Sequence, residues 1–520
     1  MTTRLNRRDA MRTAAAAGVT WIALGKTEAK AQAGALRVRQ PMDISGVDPA
    51  WYSSRADMNV LFATQTKLVE FQPTDVWESA PEAAVSIVQA DDTHIEFTLK
   101  EGMMWNPAEL GEITGDDVKF SFERVRDETV VSPFKDELYP IQSVEVKDRL
   151  SGVIVLTEPS ASLWSYLPWS TASIVSRKAV EALPEKKFTT EPPCYSGAYT
   201  IASWTPKQEL VLAANPNWHG PKPVYEEVRI TPIEDDKTAE SAFLAGDLDF
   251  LEISISSIPV FQATPPEGGR LVTRPNLGVR WMGMNTIAPP LDNPNVRRAI
   301  QLSLNVDEIV EAAYFGAAPR ATGVIPPGLI GYREANKYGR DVEQAKALLA
   351  EAGFADGVDV TLSVENNTDM NTLAQLVQAH AAEAGIRVTI NPMESGLFWI
   401  QGMESEGEYW KTLQLFIHNW GWAPDPSSAT MWYTPEQVGV WNWERWNSPE
   451  YDAMHKAALK ELDPTKRAAL YTQMMDMMEE SGAYVFLTPG VNPLLVRDGI
   501  QEAVSPDGRR HWFKMFKPTA

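Results

Sequence analysis

The residues best suited to hold a ligand lie in one short stretch of the chain, residues 413–425. Alternating residue types predict a strand over 413–422 with two distinct faces. The face we assign to the core carries Leu413, Leu415 and Ile417, and the face we assign to a ligand carries Phe416, His418, Trp420 and Trp422. Gly421 and Pro424 end the strand, and open α/β sheets bind ligands where the chain leaves the sheet. We therefore predict a binding site at this end.

Asp425 adds a carboxylate three residues after Trp422. A buried carboxylate needs a cationic partner, and the amine of a ligand can provide one. The same side chain could instead cap the helix that Ser427-Ser428-Ala429 begins. The sequence leaves both roles open.

Tryptophan is unusually abundant, with 18 residues against 14 tyrosines and 17 phenylalanines. In the densest cluster, residues 441–446, Trp441 and Trp443 share one side if the chain is extended. Tryptophan faces suit sugar rings, aromatic side chains and cations, so both are ligand candidates, and the alternative is a packed surface loop. Lesser candidates are Trp51, Tyr52 and Arg55 on the first loop and Trp281 and Asn285 on a later strand; Asn285 could equally be a structural hydrogen-bonding residue.

A zwitterionic or acidic ligand also needs a cation, for which we select Arg320 and Arg280. The guanidinium fork matches a carboxylate bidentately. A surface role is the alternative for each arginine. The methionines at 474, 475, 477 and 478 follow helical spacing and indicate core packing.

No pattern of catalytic residues emerges, and we predict that the protein is not an enzyme. The sequence lacks G-x-S-x-G, H-E-x-x-H, P-loop and G-x-G-x-x-G motifs, and its six histidines are scattered. We predict no cofactor and no metal site, although His418 leaves a nickel-chelate role open. A hydrolase that uses carboxylates alone also stays open. Cys194 is the single cysteine, so no intramolecular disulfide can form.

The first 33 residues read as a cleavable export signal. Arg7-Arg8 precede a short apolar stretch, and a small-x-small site favours cleavage after Ala33. Twin arginines are typical of the Tat route, but Ala10 stands where such signals usually carry a bulky apolar residue, so Sec is the alternative. The formal charge of −22 disfavours nucleic acid and anionic lipid as partners.

The length of 520 residues predicts two lobes, because single cores stop growing near 250–300 residues. No window holds the ~18–20 uninterrupted apolar residues of a membrane span. The middle of the chain is α/β: a helix follows Asn293-Pro294, and strand 358–364, helix 371–384 and strand 386–391 form a β-α-β unit with parallel strands. Late helices are predicted over 449–459 and from Asp463-Pro464.

Four segments resemble the family 5 extracellular solute-binding proteins. They are the stretch Tyr195-Ser196-Gly197 through Asn215-Pro216-Asn217-Trp218, the helix-turn 238–249, the signature Val296-Arg297-Arg298-Ala299-Ile300 with Asp307-Glu308-Ile309, and the block 421–426 with Asn447-Ser448-Pro449-Glu450-Tyr451-Asp452. They occur in the expected order over almost the whole mature chain. Ser196 departs from the family's usual threonine, and the chain has no cysteine pair.

The resemblance implies an α/β fold: a two-lobed periplasmic-binding-protein clamshell (type II, cluster C-like) with an accessory subdomain in the first lobe. Lobe 1 would comprise residues 34–79, 195–279 and 481–520, the accessory subdomain 80–194, and lobe 2 residues 280–480. Two crossings, near 276–286 and 480–490, would form the hinge.

The same resemblance implies a periplasmic, monomeric, substrate-binding component of an ABC transporter, which delivers a small solute to inner-membrane permease subunits. In peptide-binding relatives, an aspartate at the W-x-x-D spacing of Asp425 holds the α-ammonium of the ligand. A peptide is therefore the first expectation. The alternatives are an opine, a sugar-amine conjugate or a nickel chelate on the same fold, and, as a different class, a periplasmic adaptor or chaperone.

Overall fold

The computed structural model describes residues 34–519, within which three β-sheets of four or more strands each have a hydrophobic core. The predicted export signal, residues 1–33, lies outside the described residues. No helix in the described part of the chain has the length and apolar character needed to cross a membrane.

The strands, in chain order, are β1 (Ala35–Gln40), β2 (Val69–Phe71), β3 (Ser79–Pro81), β4 (Ala84–Asp91), β5 (His94–Leu99), β6 (Ile141–Val146), β7 (Ser151–Leu156), β8 (Tyr199–Thr205), β9 (Glu209–Ala214), β10 (Glu227–Pro232), β11 (Phe250–Glu252), β12 (Gly269–Pro275), β13 (Gly278–Met284), β14 (Val358–Glu365), β15 (Ile386–Met393), β16 (Leu415–Gly421), β17 (Tyr484–Thr488), β18 (Val491–Arg497), β19 (Ile500–Gln501) and β20 (Lys517–Pro518).

The α-helices are α1 (Arg55–Thr64), α2 (Gly115–Arg126), α3 (Leu163–Tyr166), α4 (Arg177–Glu181), α5 (Asp236–Ala245), α6 (Ile258–Ala263), α7 (Pro294–Ser303), α8 (Val306–Tyr314), α9 (Val342–Glu351), α10 (Thr368–Ala382), α11 (Ser395–Phe398), α12 (Pro426–Thr430), α13 (Pro449–Lys460) and α14 (Pro464–Glu480).

Lobe 1 is built on a seven-stranded mixed sheet of order β12-β18-β11-β1-β10-β9-β8. β1 runs parallel to both β10 and β11, and the other pairs are antiparallel. The N-terminal strand, the middle segment and the C-terminal tail therefore meet in one sheet.

Lobe 2 is built on a five-stranded sheet of order β15-β14-β16-β13-β17. The predicted β-α-β unit is confirmed, since β14 and β15 are parallel and α10 connects them. The predicted cap-and-proline starts are also confirmed, with Asn293 capping α7 and Asp463 capping α14. Three of the four methionines at 474–478 are buried in the core beside α14.

The accessory subdomain has a four-stranded antiparallel sheet of order β4-β5-β7-β6, with α2 packed on β6. Cys194 is fully buried in its core. Burial raises the pKa of this thiol to about 12, and its sulfur accepts a hydrogen bond from the Ser176 amide at 3.3 Å.

The chain crosses between the lobes twice, from β12 to β13 and from β17 to β18. The second crossing, between Thr488 and Val491, lies at the end of the expected range 480–490 and later than the lobe boundary expected at 481. The reason is that β17 pairs with β13 and so belongs to the lobe 2 sheet. Gly490 occupies this crossing with φ of +81°, and the Arg280 guanidinium fills the space that a side chain there would need. A glycine is therefore required at the hinge.

Candidate ligand-binding cleft

A cavity of about 550 Å³ lies between the two lobes. Lobe 1 contributes the start of α1 and the C-terminal tail, and lobe 2 contributes the end of β16, where Asn419 and Trp422 line the cavity. Its volume falls within the ~300–1,000 Å³ that is usual for small-molecule sites.

Local hydrogen bonds fix the lobe 1 loop that enters this cavity. Ser54 caps α1 in a capping box with Asp57. The buried Asp57 carboxylate also accepts the amide hydrogens of Ser45, Gly46 and Ser53. Because one carboxylate holds both sides of the loop, Tyr52 and Arg55 enter the cavity from a rigid support.

Three arginines, Arg55, Arg509 and Arg510, form the cationic part of the lobe 1 wall. Arg55 and Arg509 share the Glu252 carboxylate, at 2.8 Å and 3.1 Å, and Arg510 pairs with Asp507. Burial alone would raise the pKa of Glu252, but the charges of Arg55 and Arg509 outweigh it and hold that pKa below its usual value. Three guanidinium groups thus share two carboxylates.

A cluster of tryptophan rings surrounds the end of β16, where Trp422 lines the cavity. The Trp422 ring lies 5.8 Å from that of Trp420, and its indole nitrogen donates to the Val324 carbonyl at 3.0 Å. Trp420 lies 5.3 Å from both Trp432 and Trp441. Trp420, Trp432 and Trp441 are half-buried. Of these four tryptophans, Trp422 lines the cavity and the other three do not, so the ligand role expected for Trp420 and Trp441 stays a prediction.

His418 does not reach the cavity. Its ring is fully buried among six aromatic rings at centroid distances of 4.1 to 5.6 Å. Burial lowers its pKa to about 3, and neither ring nitrogen has a hydrogen-bond partner within residues 34–519. The described residues contain no cluster of three metal-binding side chains. The expectation that His418 lies near the cleft is therefore wrong.

Asp425 takes the capping role that the sequence left open. It caps α12 by accepting the Ser427 amide hydrogen at 2.9 Å. Arg467 of α14 donates to both of its oxygens, at 2.8 and 2.9 Å. Burial alone would raise the pKa of Asp425, but the charge and hydrogen bonds of Arg467 outweigh it and hold the pKa below its usual value. The cationic partner is thus supplied by the chain itself.

The other candidate residues separate into contacts with the cavity and contacts with the core. Tyr52 lines the cavity, stacks on Phe134 at 4.2 Å and bonds Thr171 through its hydroxyl at 3.2 Å. Trp51 lies beside it but packs under the cations of Arg124 and Lys187. Of the first-loop candidates, Tyr52 and Arg55 reach the cavity.

Trp443 and Trp441 do not share a side. Residues 441–446 form turns, and the Trp443 amide donates to the Trp441 carbonyl at 3.0 Å. Trp443 is fully buried against Phe398 and Phe416. Leu413 packs in the same cluster as Phe416, because Leu413 precedes β16 and does not follow the alternation of that strand.

Lobe 2 uses the remaining candidates as structural residues. Trp281 is buried and donates to Glu444 at 2.7 Å, and Asn285 donates to the carbonyls of Trp410 and Leu413. Arg280 is buried at the hinge and donates to the Pro489 carbonyl at 3.3 Å, whereas Arg320 pairs with Asp307 at 2.9 Å. Neither arginine lines the cavity, and the arginines that do come from lobe 1.

Sequence reasoning missed Arg509 and Arg510. The available signal was an adjacent arginine pair after the Asp507-Gly508 turn, in a tail already expected to belong to lobe 1. Arg55 was noted, but nothing in the sequence indicated that these residues would meet across more than 450 positions.

Direct contacts join lobe 2 to the accessory subdomain on one side of the cleft. Ser165 donates to Asp425 at 3.0 Å, and the Ala161 amide donates to the Leu459 carbonyl at 3.1 Å. Lys460 pairs with Glu158 at 2.7 Å. Separating the lobes would break these contacts.

The sequence model of the bacterial extracellular solute-binding proteins, family 5 (middle region), matches residues 78–439. The glutathione-binding protein GsiB of Salmonella paratyphi A is 26% identical over 357 residues, which cover 66% of this chain and 68% of that protein.

Two solved structures share the fold. HbpA2 from Haemophilus parasuis has a TM-score of 0.82 at 22% identity, covering 94% of this chain and 100% of that one. The periplasmic binding protein DppA from Helicobacter pylori, solved with the peptide STSA, has a TM-score of 0.70 at 22% identity, covering 94% and 98%. These similarities establish the two-lobed architecture.

Proposed function

Because this chain belongs to the bacterial extracellular solute-binding proteins of family 5, we propose that it captures a short peptide between its lobes and delivers it to the membrane subunits of an ABC importer. The cleft carries this proposal: it combines a volume suited to a small solute with three arginines and Tyr52 from lobe 1 and with Asn419 and Trp422 from lobe 2. The similarity to a glutathione-binding protein supports a tripeptide-sized ligand.

The proposed mechanism is binding followed by closure, with the ligand released unchanged. Tyr52 and Trp422 would provide contact area, and the lobe 1 arginines would meet a charged group of the ligand. Affinity near 1 µM, about −8 kcal/mol, would let the site both fill and empty. We also propose export by the Arg7-Arg8 signal, cleavage after Ala33 and a monomeric mature protein.

Native mass spectrometry of the protein purified gently from the periplasm tests this proposal. The expected spectrum shows a monomer that begins at Gly34 and carries an added mass of a few hundred daltons, which denaturation removes. Titration of the stripped protein with glutathione should give a saturable heat and a smaller radius of gyration in X-ray scattering. Absence of compaction at saturation would contradict binding with closure.

Replacing Ser165 with alanine is expected to weaken ligand binding without unfolding the protein. The Ser165–Asp425 hydrogen bond joins the accessory subdomain to lobe 2. We propose that this bond forms when the lobes close, so its loss would destabilise the closed arrangement. One such bond is worth about 1 kcal/mol, which corresponds to about a fivefold higher Kd. Calorimetry with glutathione measures the change, and Ser86→Ala, at an exposed position on the accessory sheet, serves as the matched control. Equal affinities for the two variants would refute a closing role for Ser165.

A further inference from the structure

The most cationic surface of the cleft comes from two distant parts of the sequence. Arg55 begins α1, and Arg509 and Arg510 follow the turn at Gly508 in the C-terminal tail. All three line the cavity, where Asp507 is their only acidic neighbour among the lining residues. The lobe 2 residues that face them, such as Asn419 and Trp422, are uncharged. The positive charge is therefore not balanced from the opposite wall.

The three arginines and the two carboxylates that pair with them carry a net charge of +1. Glu252 serves both Arg55 and Arg509, and Asp507 serves Arg510. The Nε atoms of Arg509 and Arg510 are buried and have no hydrogen-bond partner within residues 34–519, so a ligand would meet the exposed parts of the side chains instead. The Arg55 and Arg509 side chains are 27% and 34% exposed, so both can be approached from the cavity. An excess positive charge and the exposed parts of these two side chains are thus available to a ligand.

The electrostatic setting favours an additional anion at this place. Burial has the largest effect on the pKa of Arg55 and on that of Arg510, and it lowers both from the usual value. A negative group beside them would offset the cost of that desolvation. The chain as a whole carries −22, so this wall is a local positive surface on an acidic protein. Anions are repelled elsewhere and attracted here.

We propose that the cleft selects solutes that carry a free carboxylate, and that Arg55, Arg509 and Arg510 are the residues that bind it. This inference rests on the proposed function and adds the chemical class of the ligand. Guanidinium groups bind carboxylates bidentately, with charge and geometry both contributing. A peptide with a free C-terminus, and above all an acidic one, should bind better than the same peptide with that carboxylate amidated.

Two tripeptide pools that differ only in a free or amidated C-terminus test the proposal. Each is equilibrated with the mature protein by dialysis across a membrane that passes peptides but not protein, and the peptides retained on the protein side are quantified by mass spectrometry. We expect free acids to be retained at least tenfold over amides, with Asp- and Glu-containing members enriched. Arg509→Gln and Arg55→Gln should each reduce this preference to below threefold. Arg229→Gln, at an exposed ion pair of lobe 1, should leave it unchanged.

The preference is a ratio within one protein sample, so partial misfolding of a variant does not imitate the expected result. Equal retention of the two pools would overturn carboxylate selection and leave peptide capture standing. A tenfold preference that survives both Arg509→Gln and Arg55→Gln would overturn the assignment of these arginines. If neither pool is retained, peptide capture itself fails, and the inference fails with it.

Discussion

Replacing Arg467 with methionine is expected to lower the free energy of unfolding by about 3–5 kcal/mol. Arg467 and Asp425 are both buried, and their two hydrogen bonds of 2.8 and 2.9 Å join α14 to the start of α12. Methionine fills a similar volume but leaves the Asp425 carboxylate buried without a cation. An uncompensated buried charge is among the largest single costs that a substitution can impose.

Urea denaturation followed by tryptophan fluorescence measures the Arg467 effect. Arg387→Met removes one partner of an exposed pair with Asp359, whose charges are screened by water, and should leave the urea midpoint close to that of the natural protein. Adding Asp425→Asn to Arg467→Met should recover part of the loss, because asparagine can still cap α12 without a charge. The interpretation fails if Arg467→Met and Arg387→Met unfold at the same urea concentration.

Replacing Glu444 with glutamine is expected to stabilise the protein at alkaline pH. Glu444 is fully buried; one oxygen accepts the Trp281 indole hydrogen, and the other has no partner within residues 34–519. Burial raises the pKa of Glu444 from 4.5 to about 8. The folded state therefore holds a proton that the unfolded chain releases above pH 4.5.

The sign of the pH dependence follows from proton binding. Between pH 4.5 and 8 the folded state binds more protons at Glu444 than the unfolded state does, so stability falls as pH rises. The raised pKa of Glu444 contributes its full stabilisation of the folded state below pH 4.5, and this stabilisation is lost above pH 8. A difference from 4.5 to about 8, at about 1.4 kcal/mol per pH unit, corresponds to about 5 kcal/mol. Glutamine, which is neutral throughout, avoids this loss.

Urea midpoints at pH 5, 7 and 9 measure the Glu444 effect. Glu444→Gln should differ from the natural protein by less than about 1 kcal/mol at pH 5 and exceed it by about 5 kcal/mol at pH 9. The buried histidines, such as His418, titrate below pH 6.5 in both proteins and cancel in the difference. Glu450→Gln, at an exposed position on α13, is the control. A difference that does not grow with pH would rule out a buried neutral Glu444.

Local patterns in the sequence were sufficient to predict much of lobe 2. Caps at Asn293 and Asp463 and the unit from β14 to β15 depend on neighbouring residues, whose spacing is visible in one dimension. The chain length predicted two lobes, and the family resemblance supplied their clamshell arrangement, which periodicity alone could not specify. Hinge position was harder, because β17 stays with lobe 2 through its pairing with β13.

The candidate site was less predictable, because its charges meet over long distances. Whether Asp425 would hold a ligand depended on Arg467, which lies 42 positions later and carries no spacing signal. The face shared by Trp441 and Trp443 required an extended chain, and the turns between them bury one ring and leave the other half-buried. Arg280 and Arg320 were selected by residue type alone. In the structure Arg280 donates to the Pro489 carbonyl and Arg320 pairs with Asp307.

The buried Cys194 makes this protein suitable for distance measurements on single molecules. Its thiol is fully shielded and its pKa is about 12, so thiol-reactive dyes find almost no thiolate to attack. Cysteines introduced at Val224 on lobe 1 and Tyr409 on lobe 2, which are 56% and 63% exposed, would then be the only labelled positions. Energy transfer between dyes at these positions would record each opening and closing of the cleft without removal of a native residue.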